Sequence, residues 1–138
     1  MLAVDNDTNA FNAYMDARRL PKNSAEESKI REKAIQDGLK QAVMVPWNTA
    51  QLSFEALKIA KRVVELGNVN SVSDAGVGAQ IAFTGVRGGI YNVIINLPQI
   101  TDKKYVDQMK EEANKLENEA EKILRETIEK TRKVIESM

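Results

Sequence analysis

The sequence predicts an all-α fold: a helical bundle of four to five long helices, with a central buried glycine-rich helix. Three observations carry this. Apolar residues recur every three or four positions through four long stretches, the period of a helix with one covered face. Stop and start signals separate the stretches, at Leu20-Pro21-Lys22-Asn23-Ser24 and at Gly67-Asn68. The last stretch sets a narrow apolar stripe in a Glu- and Lys-rich background, which suits the outside of a bundle.

The first stretch covers residues 3–18. Val4, Asp7, Phe11, Tyr14 or Met15, and Arg18 fall on one face. Pro21 disfavours a helical residue before it and closes the stretch. Ser24 then stands as an N-cap with Glu27 three residues on, a capping-box pattern.

The second stretch covers 25–66, along Ile30, Ala34, Leu39, Ala42, Val43, Leu52, Leu57, Ala60 and Val64. Pro46 lies inside it and removes one backbone donor, so a kink or a junction of two helices is expected near 45. Trp47 reads as packing. Gly67-Asn68 carries the residue types that favour a left-handed helix end.

The third stretch covers 71–97, with Ser71 or Ser73 as cap. From Ala75 to Leu97 only Arg87 is charged, and five of the seven glycines fall here. Such a segment is a central buried helix or a membrane span. Gln80, Arg87, Asn92 and Asn96 would be costly in lipid, and the glycines suit close backbone crossings, so the buried helix is preferred. The run Gly85–Gly89 follows no strand and is not read as a phosphate loop.

The fourth stretch covers 102–137, with Thr101 or Asp102 as cap. Val106, Met109, Ala113, Leu116, Ala120, Ile123, Leu124, Ile128, Val134 and Ile135 form its stripe. Glu117 and Glu121 repel one another there, and Glu129 attracts Lys133.

Composition removes whole classes of chemistry. The 138 residues suit a single domain, with 43% hydrophobic and 29% charged residues. Twenty Lys plus Arg balance twenty Asp plus Glu, which gives no electrostatic case for nucleic acid or an anionic membrane. The absence of Cys and His removes disulfides, thiolate metal sites, Cys nucleophiles, the His-based triads and most catalytic zinc sites. Asp5 and Asp7 stand where a signal peptide would be apolar, so the cytoplasm is expected.

Carboxylates, cations, amides and backbone groups remain. Asp5 and Asp7 read first as N-terminal caps, but Asp7 shares the apolar face of its helix, where a carboxylate needs a partner or a purpose. Arg18, Arg19 and Lys22 suit a helix C-terminus, or a clamp for an acidic ligand. Ser71, Ser73 and Asp74 are caps or part of an anion or carbonyl site at the start of the buried helix. Asn92 and Asn96, one turn apart, read as interhelical hydrogen-bonding partners.

Asp7-Thr8-Asn9-Ala10-Phe11-Asn12-Ala13-Tyr14, Arg19-Leu20-Pro21-Lys22, Val45-Pro46, Gly67-Asn68, Ser73-Asp74 and Asn92-Val93-Ile94-Ile95-Asn96-Leu97 occur in that order. The ordered set resembles the cyclodeaminase domain of formiminotransferase-cyclodeaminase, a family that also holds methenyltetrahydrofolate cyclohydrolases. The resemblance implies an all-α bundle that dimerises. It implies a tetrahydrofolate derivative as substrate and carrier, with no metal, in a lyase step of histidine breakdown and one-carbon metabolism. In that step 5-formimino-tetrahydrofolate closes to 5,10-methenyltetrahydrofolate and ammonia leaves. Asp7 then takes the position of the catalytic carboxylate, and Arg19, Lys22, Ser73 and Asp74 become substrate-site candidates. A fused formiminotransferase domain is an expected partner in the native protein. Residues 1–138 read as one cyclodeaminase-like domain that lacks the N-terminal third of the family domain, with its Gly-rich loop. Two alternatives stand beside this: a methenyltetrahydrofolate cyclohydrolase, and an inactive helical fragment that serves only in assembly.

Overall fold

A computed structural model describes residues 2–67 and 69–138, with side chains from residue 5 onward. Val4's side chain and Asn68, both used above, lie outside the described residues. Four helices follow in order: α1 (Leu2–Arg19), α2 (Ala25–Leu66), α3 (Val72–Asn96) and α4 (Lys103–Glu136). Short 3-10 turns at Val69–Ser71 and Leu97–Gln99 flank α3. There is no strand among the described residues, and no described helix is long and apolar enough to cross a membrane.

The capping signals fix the helix ends. Ser24 accepts from the Glu27 amide at 3.1 Å, and the Glu27 carboxylate accepts from the Asn23 amide at 2.8 Å, one residue further back than the usual box. Asp102 caps α4 by accepting from the Tyr105 amide at 3.1 Å. Ser71 holds the N-cap position of α3 without a side-chain cap bond. Gly67 ends α2 in an extended conformation, φ −77°, not the left-handed one expected. Its amide reaches the Val63 carbonyl at 2.6 Å, and a Cβ there would collide with that carbonyl. Close approach, not backbone handedness, is what requires glycine.

Pro46 does not divide α2. The helix runs unbroken for 42 residues, about 63 Å. The crossing with α3 holds the region. A Cβ on Gly89 would stand 2.7 Å from the Pro46 carbonyl and 2.8 Å from the Ala50 Cβ, and one on Gly85 would meet the Ser53 hydroxyl. These pairs run in opposite directions along the two helices, so α2 and α3 are antiparallel and closely packed. The glycines serve close crossing, as their clustering suggested.

α2 and α3 share the largest interface, and α4 packs across both. The centre is Val43, Leu57, Val86, Ile90, Val93 and Leu97, with Trp47 and Phe54 beside them. From α4 come Met109, Ala113 and Ala120. Two threonines, Thr127 and Thr131, continue that line, while Ile128 and Val134 of the expected stripe are half-buried and Ile135 is exposed. Each returns its hydroxyl proton to a carbonyl one turn earlier, Ile123 at 2.7 Å and Thr127 at 2.8 Å, so their burial leaves no donor unpaired. Ion pairs Lys40–Asp102 (2.8 Å), Lys61–Glu126 (2.6 Å) and Arg87–Glu117 (2.9 Å) fasten α4 to α2 and α3. The predicted repulsion between Glu117 and Glu121 is relieved, because Arg87 also approaches Glu121 at 3.8 Å.

The side of α2 and α3 away from α4 is apolar and open. Leu52 is 71% exposed, Ile59 62%, Ile81 68% and Ile95 71%. So α3 is apolar nearly all round, while its core-facing side alone is covered within the chain.

Candidate functional site

α1 packs along the first half of α2 and brings Asp7 to the α2–α3 seam. The contact line on α1 is Ala10, Tyr14 and Ala17. It differs from the predicted face of Val4, Asp7, Phe11, Tyr14 or Met15, and Arg18: Phe11 and Arg18 are exposed. Small residues win because α1 comes close to α2. A Cβ on Gly38 would lie 3.1 Å from the Tyr14 Cα. Arg31 fixes the far end of α1, donating from Nε and Nη2 to the Arg18 carbonyl at 3.2 and 3.1 Å. Asp7 sits one turn before Ala10 on the contact line. It is exposed, not buried, and it lines a groove.

That groove, about 550 Å³, is walled by α2 at Ala42, Val45, Pro46 and Thr49 and by α3 at Gly88, Asn92 and Asn96. A second recess of about 270 Å³ continues it under α1, past Phe11, Tyr14 and Gln99, and Asp7, Ala42 and Asn96 line both. Gly88 widens the groove: a Cβ there would meet nothing within 4 Å. Tyr14 donates its phenolic proton to the Gln99 side-chain oxygen at 3.5 Å.

Asn92 and Asn96 do not bridge helices. Asn92 Nδ2 donates to the Gly88 carbonyl at 2.9 Å, and Asn96 Nδ2 to the Asn92 carbonyl at 2.8 Å, both within α3. Their place on the groove wall was missed in the sequence. Their spacing of one turn, on a helix otherwise apolar, was the signal.

The other candidates lie elsewhere. Arg19 pairs with Asp16 at 3.3 Å at the far end of α1, about 18 Å along the helix from Asp7. Lys22 is exposed in the loop that follows. Ser73 and Asp74 are exposed at the start of α3, about 28 Å along it from Asn92. Ser73 lines a separate recess with Gly76, Gln80, Thr131 and Arg132. A single chain therefore joins Asp7 to none of these four. No group of three or more metal-ligating side chains occurs among the described residues.

Residues 1–115 match the family described as Formiminotransferase-cyclodeaminase. This chain belongs to the formiminotransferase-cyclodeaminase family. It is 38% identical over 117 residues to the formimidoyltransferase-cyclodeaminase of Rattus norvegicus, covering 85% of this chain and 22% of the relative. It is 37% identical over 117 residues to the methenyltetrahydrofolate cyclohydrolase of Methylorubrum extorquens, covering 85% of this chain and 56% of that protein. The fold matches the crystal structure of formiminotetrahydrofolate cyclodeaminase from Thermotoga maritima with a TM-score of 0.68. The match covers 98% of this chain and 61% of that one, at 23% identity. The chain thus spans about a fifth of the two-function relative and a little over half of the cyclohydrolase. In the family's terms, the stretch that carries Asp7, Asn92 and Asn96 lies wholly inside the matched residues.

Proposed function

We propose that this protein acts on folate-bound one-carbon units as a formimidoyltetrahydrofolate cyclodeaminase. The observation that carries the reading is the placement of Asp7: a carboxylate that lines both recesses of a groove no Lys or Arg lines. The substrate carbon is cationic before and after the reaction, so a fixed negative charge suits both states and the step between them.

The step balances with Asp7 alone as proton carrier. N10 of the folate attacks the formimino carbon and forms a C–N bond. N10 then gives up its proton, which Asp7 accepts and passes to the amino nitrogen. The bond from carbon to that nitrogen breaks, ammonia leaves, and the methenyl cation remains. Such a relay contributes about 10²–10⁴-fold. Tyr14 and Gln99 form the inner end of the groove, and Arg19 and Lys22 are proposed to hold the glutamate tail beyond the other end of α1. Ser73 and Asp74 would serve this site only from a second copy. A homodimer is proposed, with the open apolar face of α2 and α3 as its interface, alongside a formiminotransferase domain as in the two-function relatives, in the cytoplasm.

The match to a cyclohydrolase supports a second reading, in which water attacks the methenyl carbon and no ammonia forms. Ammonia release from 5-formiminotetrahydrofolate, followed with growth of methenyl absorbance, tests the proposal. Release that Asp7→Asn abolishes supports it. Methenyl hydrolysis without ammonia release favours the cyclohydrolase.

A further inference from the structure

We infer that Thr49, Asn92 and Asn96 complete, around the Asp7 carboxylate, a receptor for a nitrogen cation, which makes them specificity-determining residues of the groove. The identity of the physiological ligand rests on the folate reading above; the receptor chemistry does not.

The polar side chains of the main groove are Asp7, Thr49, Asn92 and Asn96. Three of them have a donor already engaged by the helix that carries them. Thr49 Oγ1 donates to the Val45 carbonyl at 3.3 Å. Asn92 and Asn96 donate to the Gly88 and Asn92 carbonyls. Of the two ends of an Asn side-chain amide only the nitrogen can donate to a carbonyl, so these bonds also fix which way each amide is turned. Both Oδ1 atoms are left as acceptors by these bonds. Asp7 adds two more acceptor oxygens and a full charge. Each amide keeps one further hydrogen, so the set is acceptor-rich, not acceptor-only. The Asp7 charge, with no Lys or Arg along the walls, decides the sign.

The complement is a cation that carries N–H groups. A formimino group is an amidinium with N–H donors, and the nitrogen it loses leaves as ammonia. A methenyl carbon is equally cationic but bears no N–H. The groove therefore discriminates for the amidinium by hydrogen bonding, where charge alone would not. The open space over Gly88 leaves room for it beside Asn92.

The test uses the full chain, labelled with ¹⁵N and followed by amide correlation spectra. Formamidinium chloride is one probe, and tetramethylammonium chloride, a cation without N–H, is the control. Formamidinium is expected to give saturable shifts at the Asn92 and Asn96 side-chain amides and at groove residues. Its affinity should fall about tenfold in Asp7→Asn and in the double variant Asn92→Leu, Asn96→Leu. Both asparagines are on the surface side of α3, and unchanged circular dichroism shows that the variants fold. Tetramethylammonium should leave those signals in place. Equal shifts with both cations, shifts confined to other regions, or no shifts overturn the inference. Tetrahydrofolate, titrated separately, keeps the two readings apart. If it moves the groove signals and formamidinium does not, the receptor inference fails and the folate reading stands. If formamidinium fills the groove and tetrahydrofolate does not, the folate reading fails alone.

Discussion

Asn96 donates its side-chain amide to the backbone carbonyl of Asn92 at 2.8 Å, and Asn92 does the same to Gly88 one turn earlier at 2.9 Å. The two side chains thereby both donate back along α3, and both line the groove that Asp7 also lines. Polar residues in an apolar helix have been made compatible with it and still present oxygen to the groove.

Asp7 is exposed and bears no load in the core. Asp7→Asn is expected to lower ammonia release from 5-formiminotetrahydrofolate by at least about 10²-fold. The melting temperature should stay within about a degree of the parent, since surface changes away from packed features alter stability by about 0.5 kcal/mol or less. Steady-state assay and thermal melting together separate a chemical role from a structural one.

Gly89 and Gly88 are adjacent and should respond oppositely. Alanine at 89 would press on the Pro46 carbonyl and the Ala50 amide, which are backbone and cannot swing aside. Gly89→Ala should destabilise by about 1–3 kcal/mol. Gly88→Ala meets nothing within 4 Å and gains helix propensity, so it should stabilise by about 0.5–1 kcal/mol while narrowing the groove. Urea unfolding of the two variants measures both signs.

Arg87 stands between two carboxylates, Glu117 at 2.9 Å and Glu121 at 3.8 Å, and its guanidinium also covers the Phe83 ring at 4.7 Å. Arg87→Met should leave the two glutamates repelling across one turn of α4. A loss of about 1 kcal/mol is expected, smaller in high salt. Repeating the unfolding with Glu121→Gln in the same chain should restore part of it.

The pH dependence of stability follows from the pairs that fasten α4. The Lys40 ammonium holds the Asp102 carboxyl below its ordinary 3.8, and Lys61 holds Glu126 below its ordinary 4.5. These carboxylates stabilise the fold above those ordinary values, and the contribution is lost as pH falls through the depressed ones. Conversely, bonds from Asp102 and Glu126 raise Lys40 and Lys61 above 10.5, so their contribution is full below 10.5 and is lost as pH rises through the raised values. The groups are at the surface, so the effect is small and screened by salt. Urea midpoints measured across acid pH should fall less steeply in Glu126→Gln than in the parent.

The helix boundaries were legible in the sequence because side chains set them: Ser24 and Asp102 cap, Pro21 forbids, and the apolar period does the rest. The turn of α1 about its own axis was not. Phe11 is its most apolar large side chain, yet Ala10 and Ala17 pack, because closeness to α2 rewards small size over hydrophobicity. Of the two outcomes expected at Pro46, a junction of two helices does not occur: the helix is continuous, and the glycine-lined crossing with α3 packs against it there. At the site, Asp7 was legible as a carboxylate on the α1 contact line. Asn92 and Asn96 were assigned the wrong partners, because nothing in a sequence distinguishes an amide that bonds its own helix from one that bonds a neighbour. Ser73 and Asp74 were grouped with Asp7 by the family resemblance and by their place at the start of the buried helix, and the length of α3 sets them apart within the chain.

Folate is proposed to occupy the groove at Asp7. Titration calorimetry of this chain with a tetrahydrofolate polyglutamate is the direct measurement. Saturable binding that weakens in Asp7→Asn and again in Arg19→Ala is the predicted result, placing the reacting end by Asp7 and the tail toward the end of α1. Binding that neither substitution changes, or no binding at all, would contradict it.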